Sequence, residues 1–137
     1  MADLTKTIDG VIAQDETGAA VPITDQTGEP LLAADGSPAT VTVLGRESKR
    51  VRAAVSANTS RMLRGRKAKL DAADIRANRV AVAIAAVTGW HGFEVDGADA
   101  PCTEDNLRAF FRAEYTLEQV ESAISGHADF FTTSSTD

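Results

Sequence analysis

The residues best suited to chemistry lie close together in one stretch, "TGWHGFEVDGADAPCTEDNLRAFF", residues 88–111. It contains His91 and Cys102, which could act as a base and a nucleophile or as two metal ligands. Cys102 is the only cysteine of the chain, and His91 is one of two histidines. A structural zinc site needs four ligands. One cysteine and two histidines, with no short spacing between any two of them, are too few. The sequence therefore predicts no metal site.

A Cys–His dyad would need an activated thiolate. Cys102 has four acidic neighbours in the sequence: Asp96, Asp99, Glu104 and Asp105. Negative charges raise the pKa of a thiol, and a helix beginning at Thr103 opposes them only weakly. We therefore expect an ordinary thiol at Cys102. A small thiol or histidine hydrolase built on His91 and Cys102 is kept as the enzyme alternative.

Sequence motifs of common enzyme classes are missing. No P-loop, G-x-G-x-x-G, G-x-S-x-G or H-E-x-x-H pattern occurs. The sequence therefore predicts a protein that is not an enzyme, with no catalytic, cofactor-binding or metal-binding residues and no cofactor.

The same stretch is well suited to a structural joint between helices. "DGADAP", residues 96–101, is rich in turn-forming residues, and Thr103 is a candidate N-cap. Large aromatic side chains bury much area, so we expect them to anchor the turn against the helices. The predicted core cluster is Trp90, Phe93, Leu107, Phe110 and Phe111. His127 is interpreted as a packing or surface residue.

The hydrophobic periodicity changes near Gly45, which sets the predicted fold class. Residues 21–45 contain short apolar runs between Asp, Gly and Pro, and "TVTV" at residues 40–43 favours a strand. Residues 46–131 follow a helical period. We predict an α+β fold: a small N-terminal antiparallel β-sheet or hairpin followed by a bundle of about four α-helices.

These elements are expected to form one domain over residues 21–131, after a flexible acidic arm or weak edge strand at 1–20 and before a frayed tail at 132–137. Val51, Val55 and Met62 would form the apolar stripe of the first long helix. The second is predicted from its N-cap Asp71 to Val87, ended by Gly89. Thr116, with Gln119 at the capping-box position, would begin the last helix.

Charge is strongly segregated along the chain. Residues 1–45 carry a net charge of −6, residues 46–79 of +8 and residues 80–137 of −8. Arg46, Arg50, Arg61 and Arg64 are predicted to lie on one face and to bind carboxylates of this chain or of a partner. The alternatives are a solvated face or neutralisation by the acidic segments. No aromatic residue suited to base stacking lies between these arginines, which argues against nucleic-acid binding.

Composition bears on location and assembly. No apolar run of about 18 residues predicts a membrane span, and the N-terminal residues do not resemble a secretory signal. A single cysteine suits a reducing compartment, so we expect the cytoplasm. The alanine-rich second helix and the charge segregation permit a homo-oligomer.

Several short motifs, taken in order, resemble one family. They are "VTVLGRESKRVR", the alanine-rich helix, "GWHGFEVDGADAPCTEDNLRAFF" and "YTLEQVESAISGHADFF". The chain resembles the small tail assembly chaperone-like proteins of long-tailed bacteriophages and prophages over residues 21–131. The matching positions are Gly45, Glu47 and Ser48, then Gly89 and Trp90, then Asp96, Gly97, Pro101, Thr103 and Asn106, and finally Phe130 or Phe131.

The resemblance implies a non-enzymatic viral protein of virion morphogenesis. Such a chaperone binds the tape-measure protein and tail-tube subunits in the cytoplasm of the bacterial host and does not remain in the finished particle. The first alternative is a structural virion protein of the tail or of the head–tail connection, located in the virion tail or neck.

Overall fold

The computed structural model describes the backbone of residues 3–65 and 71–126 and the side chains of residues 3–63 and 71–126. Five helices and five strands lie within these ranges, which makes the fold α+β. In chain order they are α1 (Leu4–Thr17), β1 (Ala19–Pro22), β2 (Thr40–Val43), α2 (Lys49–Gly65), α3 (Ala72–Ala86), β3 (Val87–His91), β4 (Glu94–Val95), β5 (Ala98–Asp99), α4 (Glu104–Phe110) and α5 (Glu114–Ser125).

The main sheet is antiparallel, with the strand order β1-β2-β3. In the central strand β2, Val41 and Val43 are fully buried, and Thr40 and Thr42 on the other face are half-buried. Val41 pairs with Val21 on one side and with Trp90 on the other. The predicted alternation of β2 is confirmed, and its valines form part of the core.

Strand β3 corrects the prediction that residues 46–131 contain only helices. Val87 has extended backbone, so α3 ends at Ala86 and the chain continues directly into β3. Gly89 therefore lies within a strand and does not end the helix. The physical reason is that β2 needs a second hydrogen-bonded neighbour, which a distant segment supplies. The short strands β4 and β5 form a separate hairpin.

Residues 1–20 were also predicted incorrectly, because α1 occupies most of this range. Asp3 caps the helix by accepting a hydrogen bond from the backbone N–H of Lys6 at 3.0 Å. Leu4, Ile8 and Val11 follow a helical spacing, which the small and polar residues between them obscure. Only the alternative prediction, a weak edge strand, agrees in part with the structure, because the edge strand β1 begins at Ala19.

The central position predicted for α3 is confirmed by its contacts with α2, α4 and α5. Ala83 and Ala86 are fully buried, and their small side chains allow the neighbouring elements to approach closely. The predicted cap Asp71 accepts a hydrogen bond from the N–H of Asp74 at 2.8 Å.

The apolar stripe predicted for α2 is only partly correct. Val51 is buried, whereas Val55 and Met62 are about half exposed. Contact with α3 is made beside this stripe, where buried Asn58 donates to the carbonyl of Asn78 at 3.0 Å. The buried residue of α2 that makes this contact is therefore polar, and the predicted apolar stripe lies beside the interface between α2 and α3.

The last helix begins at Glu114, two residues before the predicted start. Thr116 is buried, and its hydroxyl donates to the carbonyl of Phe110 at 2.5 Å. Gln119 forms no capping box; it pairs with the backbone of Thr24, accepting at 2.9 Å and donating at 3.0 Å. This pairing joins α5 to the segment that follows β1.

His127, Phe130, Phe131 and the predicted tail at 132–137 lie outside the described residues.

Ion pairs between α3 and α5 provide a pH-dependent link. Arg79 contacts Glu114 at 2.7 Å and Glu121 at 2.6 Å, and Arg76 contacts Glu114 at 2.5 Å. The hydrogen bond from Arg79 is the largest cause that lowers the pKa of the Glu114 carboxyl. A lowered pKa contributes stability above the ordinary pKa of about 4.3, and this stability is lost as the pH falls through the lowered value.

We therefore expect Arg79→Met to lower the free energy of unfolding more at about pH 6 than at about pH 3. Urea unfolding of wild type and variant at both pH values measures this difference. Arg108→Met is the matched control, because Arg108 pairs with Glu104 on the exposed surface and should change stability little. An equal loss at both pH values would contradict the role of the carboxylates.

Candidate functional site

The aromatic residues of the stretch 88–111 come together around the end of β3. The ring centroids of Trp90 and Phe93 are 4.9 Å apart, and Phe110 lies 5.8 Å from Trp90 and 5.3 Å from Phe93. Two of these ring pairs have the edge-to-face geometry that aromatic quadrupoles favour. The three side chains are half-buried and pack on the core.

The other two residues of the predicted cluster lie deeper. Leu107 and Phe111 belong to the buried core, and the Phe111 ring is 5.1 Å from that of Phe110. The indole N–H of Trp90 donates to the carbonyl of Ala100 at 2.8 Å, which ties β3 to the segment before α4. All five predicted residues thus meet in one cluster that joins β3 to α4.

A cleft of about 440 Å³ opens beside this cluster. It lies between residues 33–35 and the chain that follows β3, where Gly92 has a φ of +92° and passes close to Ala33. Both His91 and Cys102 line the cleft, together with the acidic residues Asp35, Glu94 and Asp99. The structure therefore places the two candidate chemical residues on one cavity.

His91 interacts with a serine that the sequence analysis did not single out. Its Nε2 lies 3.1 Å from the Oγ of Ser37, and that hydroxyl donates to Oδ1 of Asp35 at 2.5 Å. In a serine–histidine–acid triad the carboxylate holds the imidazole and the serine proton points to the histidine. Here the carboxylate holds the serine hydroxyl instead, so His91 is not positioned to accept that proton. The only signal in the sequence was the turn "ADGS", residues 34–37.

The hydrogen bonds from Ser37 also lower the pKa of the Asp35 carboxyl. Cys102 differs, because burial raises the pKa of its thiol. The expected direction of the thiol shift agrees, but its cause is removal from water and not the acidic neighbours named above. No group of three His, Cys, Asp or Glu side chains within the described ranges could hold a metal ion.

Alkylation of Cys102 by a neutral thiol reagent tests this environment. Since its pKa is raised, we expect a smaller thiolate fraction at neutral pH than in a model thiol whose pKa is about 8.5. The alkylation rate measured against pH should give an apparent pKa above that of the model thiol, and His91→Gln should leave it unchanged. An apparent pKa near 6 would instead favour the thiol enzyme.

The arginines that were predicted to form one face do not all lie on α2. Arg46 lies in the turn before α2, and Arg50 and Arg61 are exposed on the helix. Arg61 donates to the side-chain oxygen of Asn58. Among the ion pairs of the described side chains, none involves Arg46 or Arg50. The side chain of Arg64 lies outside the described residues.

Among the described side chains, Arg76 and Arg79 of α3 bind carboxylates of another helix, and Arg108 pairs with Glu104 within α4. Sequence reasoning missed the two arginines of α3 because their partners Glu114 and Glu121 are separated from them by some forty residues. No local spacing signals such a pair.

Comparisons of the chain with protein-family models, with curated proteins and with solved structures find no match. No helix in the described part of the chain is long and apolar enough to cross a membrane. Function is therefore inferred from the residues and their geometry.

Proposed function

We propose that this chain is a non-enzymatic assembly chaperone of a bacteriophage or prophage tail, which binds the tape-measure protein and tail-tube subunits. The observation that carries this proposal is a set of exposed basic residues on α2 and in the turn before it, Arg46, Arg50 and Arg61, which we call the basic face of α2. Arg46 and Arg50 have no carboxylate partner among the described residues, although arginine is suited to bidentate carboxylate binding. Their partner is a carboxylate surface on a tail protein.

The positions of the residues that carry the family resemblance support this proposal. Gly45, Glu47 and Ser48 form the step into α2, where the Ser48 hydroxyl accepts from the N–H of Val51 at 3.3 Å. Thr103 caps α4, and Asn106 donates to the carbonyl of Pro101 at 2.8 Å. These motifs shape joints between elements, as expected for a binding protein whose similarity to relatives lies in its scaffold.

The cleft at His91 and Cys102 supports the hydrolase alternative less well. Burial disfavours the Cys102 thiolate, and the Asp35–Ser37–His91 contacts have the wrong order for proton transfer to His91. A binding role needs neither group.

The direct test is purification of the tagged chain from bacteria that produce the whole set of tail proteins. We expect the tape-measure protein to co-purify with the wild type, and the double variant Arg50→Glu/Arg61→Glu to lose it. Arg112→Glu is the matched control, because Arg112 is an exposed arginine outside α2, in the turn after α4.

Mature particles separate the chaperone from the structural alternative. We expect the chain to be missing from purified, finished tails. Its presence there in a fixed ratio to the tail subunits would overturn the chaperone and favour a structural protein of the tail or head–tail connection.

A further inference from the structure

Helix α1 presents apolar side chains that are largely uncovered among the residues that the structure describes. Leu4 is 73% exposed and Ile8 is 48% exposed, and Val11 continues the row as a half-buried residue. At about 100° of rotation per residue, these three side chains lie on one side of the helix. We call Leu4, Ile8 and Val11 the α1 stripe.

The C-terminal end of α1 is anchored to the start of α2. Buried Asp15 accepts a hydrogen bond from the N–H of Glu47 at 2.8 Å, and Glu16 accepts from the N–H of Lys49 at 2.6 Å. The N–H of Lys49 is one of the donors that the N-terminus of α2 leaves unpaired, and that of Glu47 belongs to the turn before the helix. The anchor fixes α1 on the body while its first two turns remain exposed.

Helix α2 carries a second uncovered row of similar length. Val55 and Met62 are 49% and 42% exposed and are seven residues apart, the same spacing as Leu4 and Val11. Two side chains at this spacing lie on one face, about 10 Å apart along the axis. We call Val55 and Met62 the α2 stripe.

The two helices that carry these stripes have opposite charge. With its cap Asp3, α1 has four acidic residues and one lysine, whereas α2 has five basic residues and none that are acidic. Exposed Arg52 lies about 60° from Val55 around α2, next to the α2 stripe, whereas exposed Asp9 lies on a different face of α1 from the α1 stripe. Asp15 and Glu16 are already engaged in the anchor.

We propose that the α1 stripe of one copy of this chain packs on the α2 stripe of a second copy. The equal apolar spacing and the opposite net charges of α1 and α2 favour this occupant. Within one chain the contact is not made, because α1 is held at the start of α2 and both stripes stay exposed. A two-fold pair makes the contact twice, which helps it to approach the roughly 1,200 Å² of a specific interface.

This contact leaves the basic face of α2 free. Asn58 faces α3. At about 100° of rotation per residue, Arg50 and Arg61 lie on one side of Asn58 around the helix, and the α2 stripe lies on the other side. The inference does not rest on the proposed function, since it concerns the purified chain alone.

Sedimentation velocity of the purified full chain tests the proposal. We expect the wild type to associate, and Leu4→Ser/Ile8→Ser and Val55→Ser/Met62→Ser each to sediment as monomers. The control Leu32→Ser/Val95→Ser removes two equally exposed apolar side chains elsewhere and should associate as the wild type does. Circular dichroism and Trp90 emission, unchanged in all variants, verify that each is folded.

Mixing the two monomeric variants identifies which helix contacts which. One variant retains an intact α2 stripe and the other an intact α1 stripe, so the mixture should form a heterodimer held by a single contact. A wild type that is monomeric, or a mixture that remains monomeric while both variants are folded, would overturn the proposal. A contact of α1 on α1 or of α2 on α2 would instead leave one of the two variants associated by itself, which would also overturn the proposal.

Salt provides an independent check of the charged flanks. Raising the salt concentration from about 50 mM to about 500 mM shortens the screening length to a few ångströms and should weaken the wild-type association. Association that strengthens with salt would instead indicate a contact without the α1 acids and α2 bases, and would contradict the proposal.

Discussion

Replacing Phe111 with alanine is expected to lower the free energy of unfolding by about 3–5 kcal/mol. Phe111 is 1% exposed and is the largest fully buried residue among those that the structure describes. Its removal takes away apolar burial and leaves a cavity that the surrounding helices fill only in part. The backbone carbonyl of Phe111, which accepts from Arg76 at 2.5 Å, is retained in the variant.

Urea unfolding followed by the emission of Trp90 measures this loss. Trp90 is the only tryptophan, and its ring packs against Phe110, which in turn contacts Phe111. Phe111→Leu fills most of the space and should lose less, and Val95→Ala on the exposed hairpin should change stability by no more than about 0.5 kcal/mol. A Phe111→Ala loss below about 1 kcal/mol would show that the joint between α4 and the core is not tightly packed.

The second large effect is expected at Gly45, where α1 meets the step into α2. A methyl group at this position would overlap the carboxylate of Asp15, which is itself buried. To make room, Asp15 must leave the N–H of Glu47, which then loses a charge-assisted hydrogen bond. We expect Gly45→Ala to lower the free energy of unfolding by about 2–3 kcal/mol.

A double-mutant cycle separates this overlap from a general effect of glycine replacement. In an Asp15→Ala background the carboxylate is absent, so Gly45→Ala should cost much less than in the wild type. Gly10→Ala is the control, because a methyl group there meets no atom within 4 Å, and an alanine in the exposed α1 should be neutral or slightly stabilising. Equal costs of Gly45→Ala in both backgrounds would contradict the assigned contact.

Local features were predictable because they depend on hydrogen bonds over three or four residues. The caps at Asp71 and Thr103 each accept from the N–H three residues later, so residue type and position alone indicate them. The alternation of "TVTV" likewise determined which face of β2 is buried. The change from a strand period to a helical period was enough to predict the α+β class and the four helices after residue 46.

The candidate site depended on contacts between distant residues. The sequence predicted that Trp90, Phe93 and Phe110 would cluster, because aromatic residues in one short stretch with turns between them readily meet. It did not indicate that Ser37 would meet His91 across 54 residues, or that Asp35 would bind the serine hydroxyl. The pairing of β3 with β2 places His91 opposite Thr40, close to the turn that contains Ser37.

The sequence by itself thus determined the class of the fold, the starts of α3 and α4 and the aromatic joint. Tertiary structure decided that residues 87–91 form the third strand, that α1 is held by Asp15, and that Val55 and Met62 stay exposed while Val51 is buried. The physical reason is that a capping or turn preference is a local free energy of about 1 kcal/mol, carried by a few neighbouring residues. Strand pairing, helix docking and ion pairs such as Arg79–Glu121 arise between residues that become neighbours only when the whole core packs.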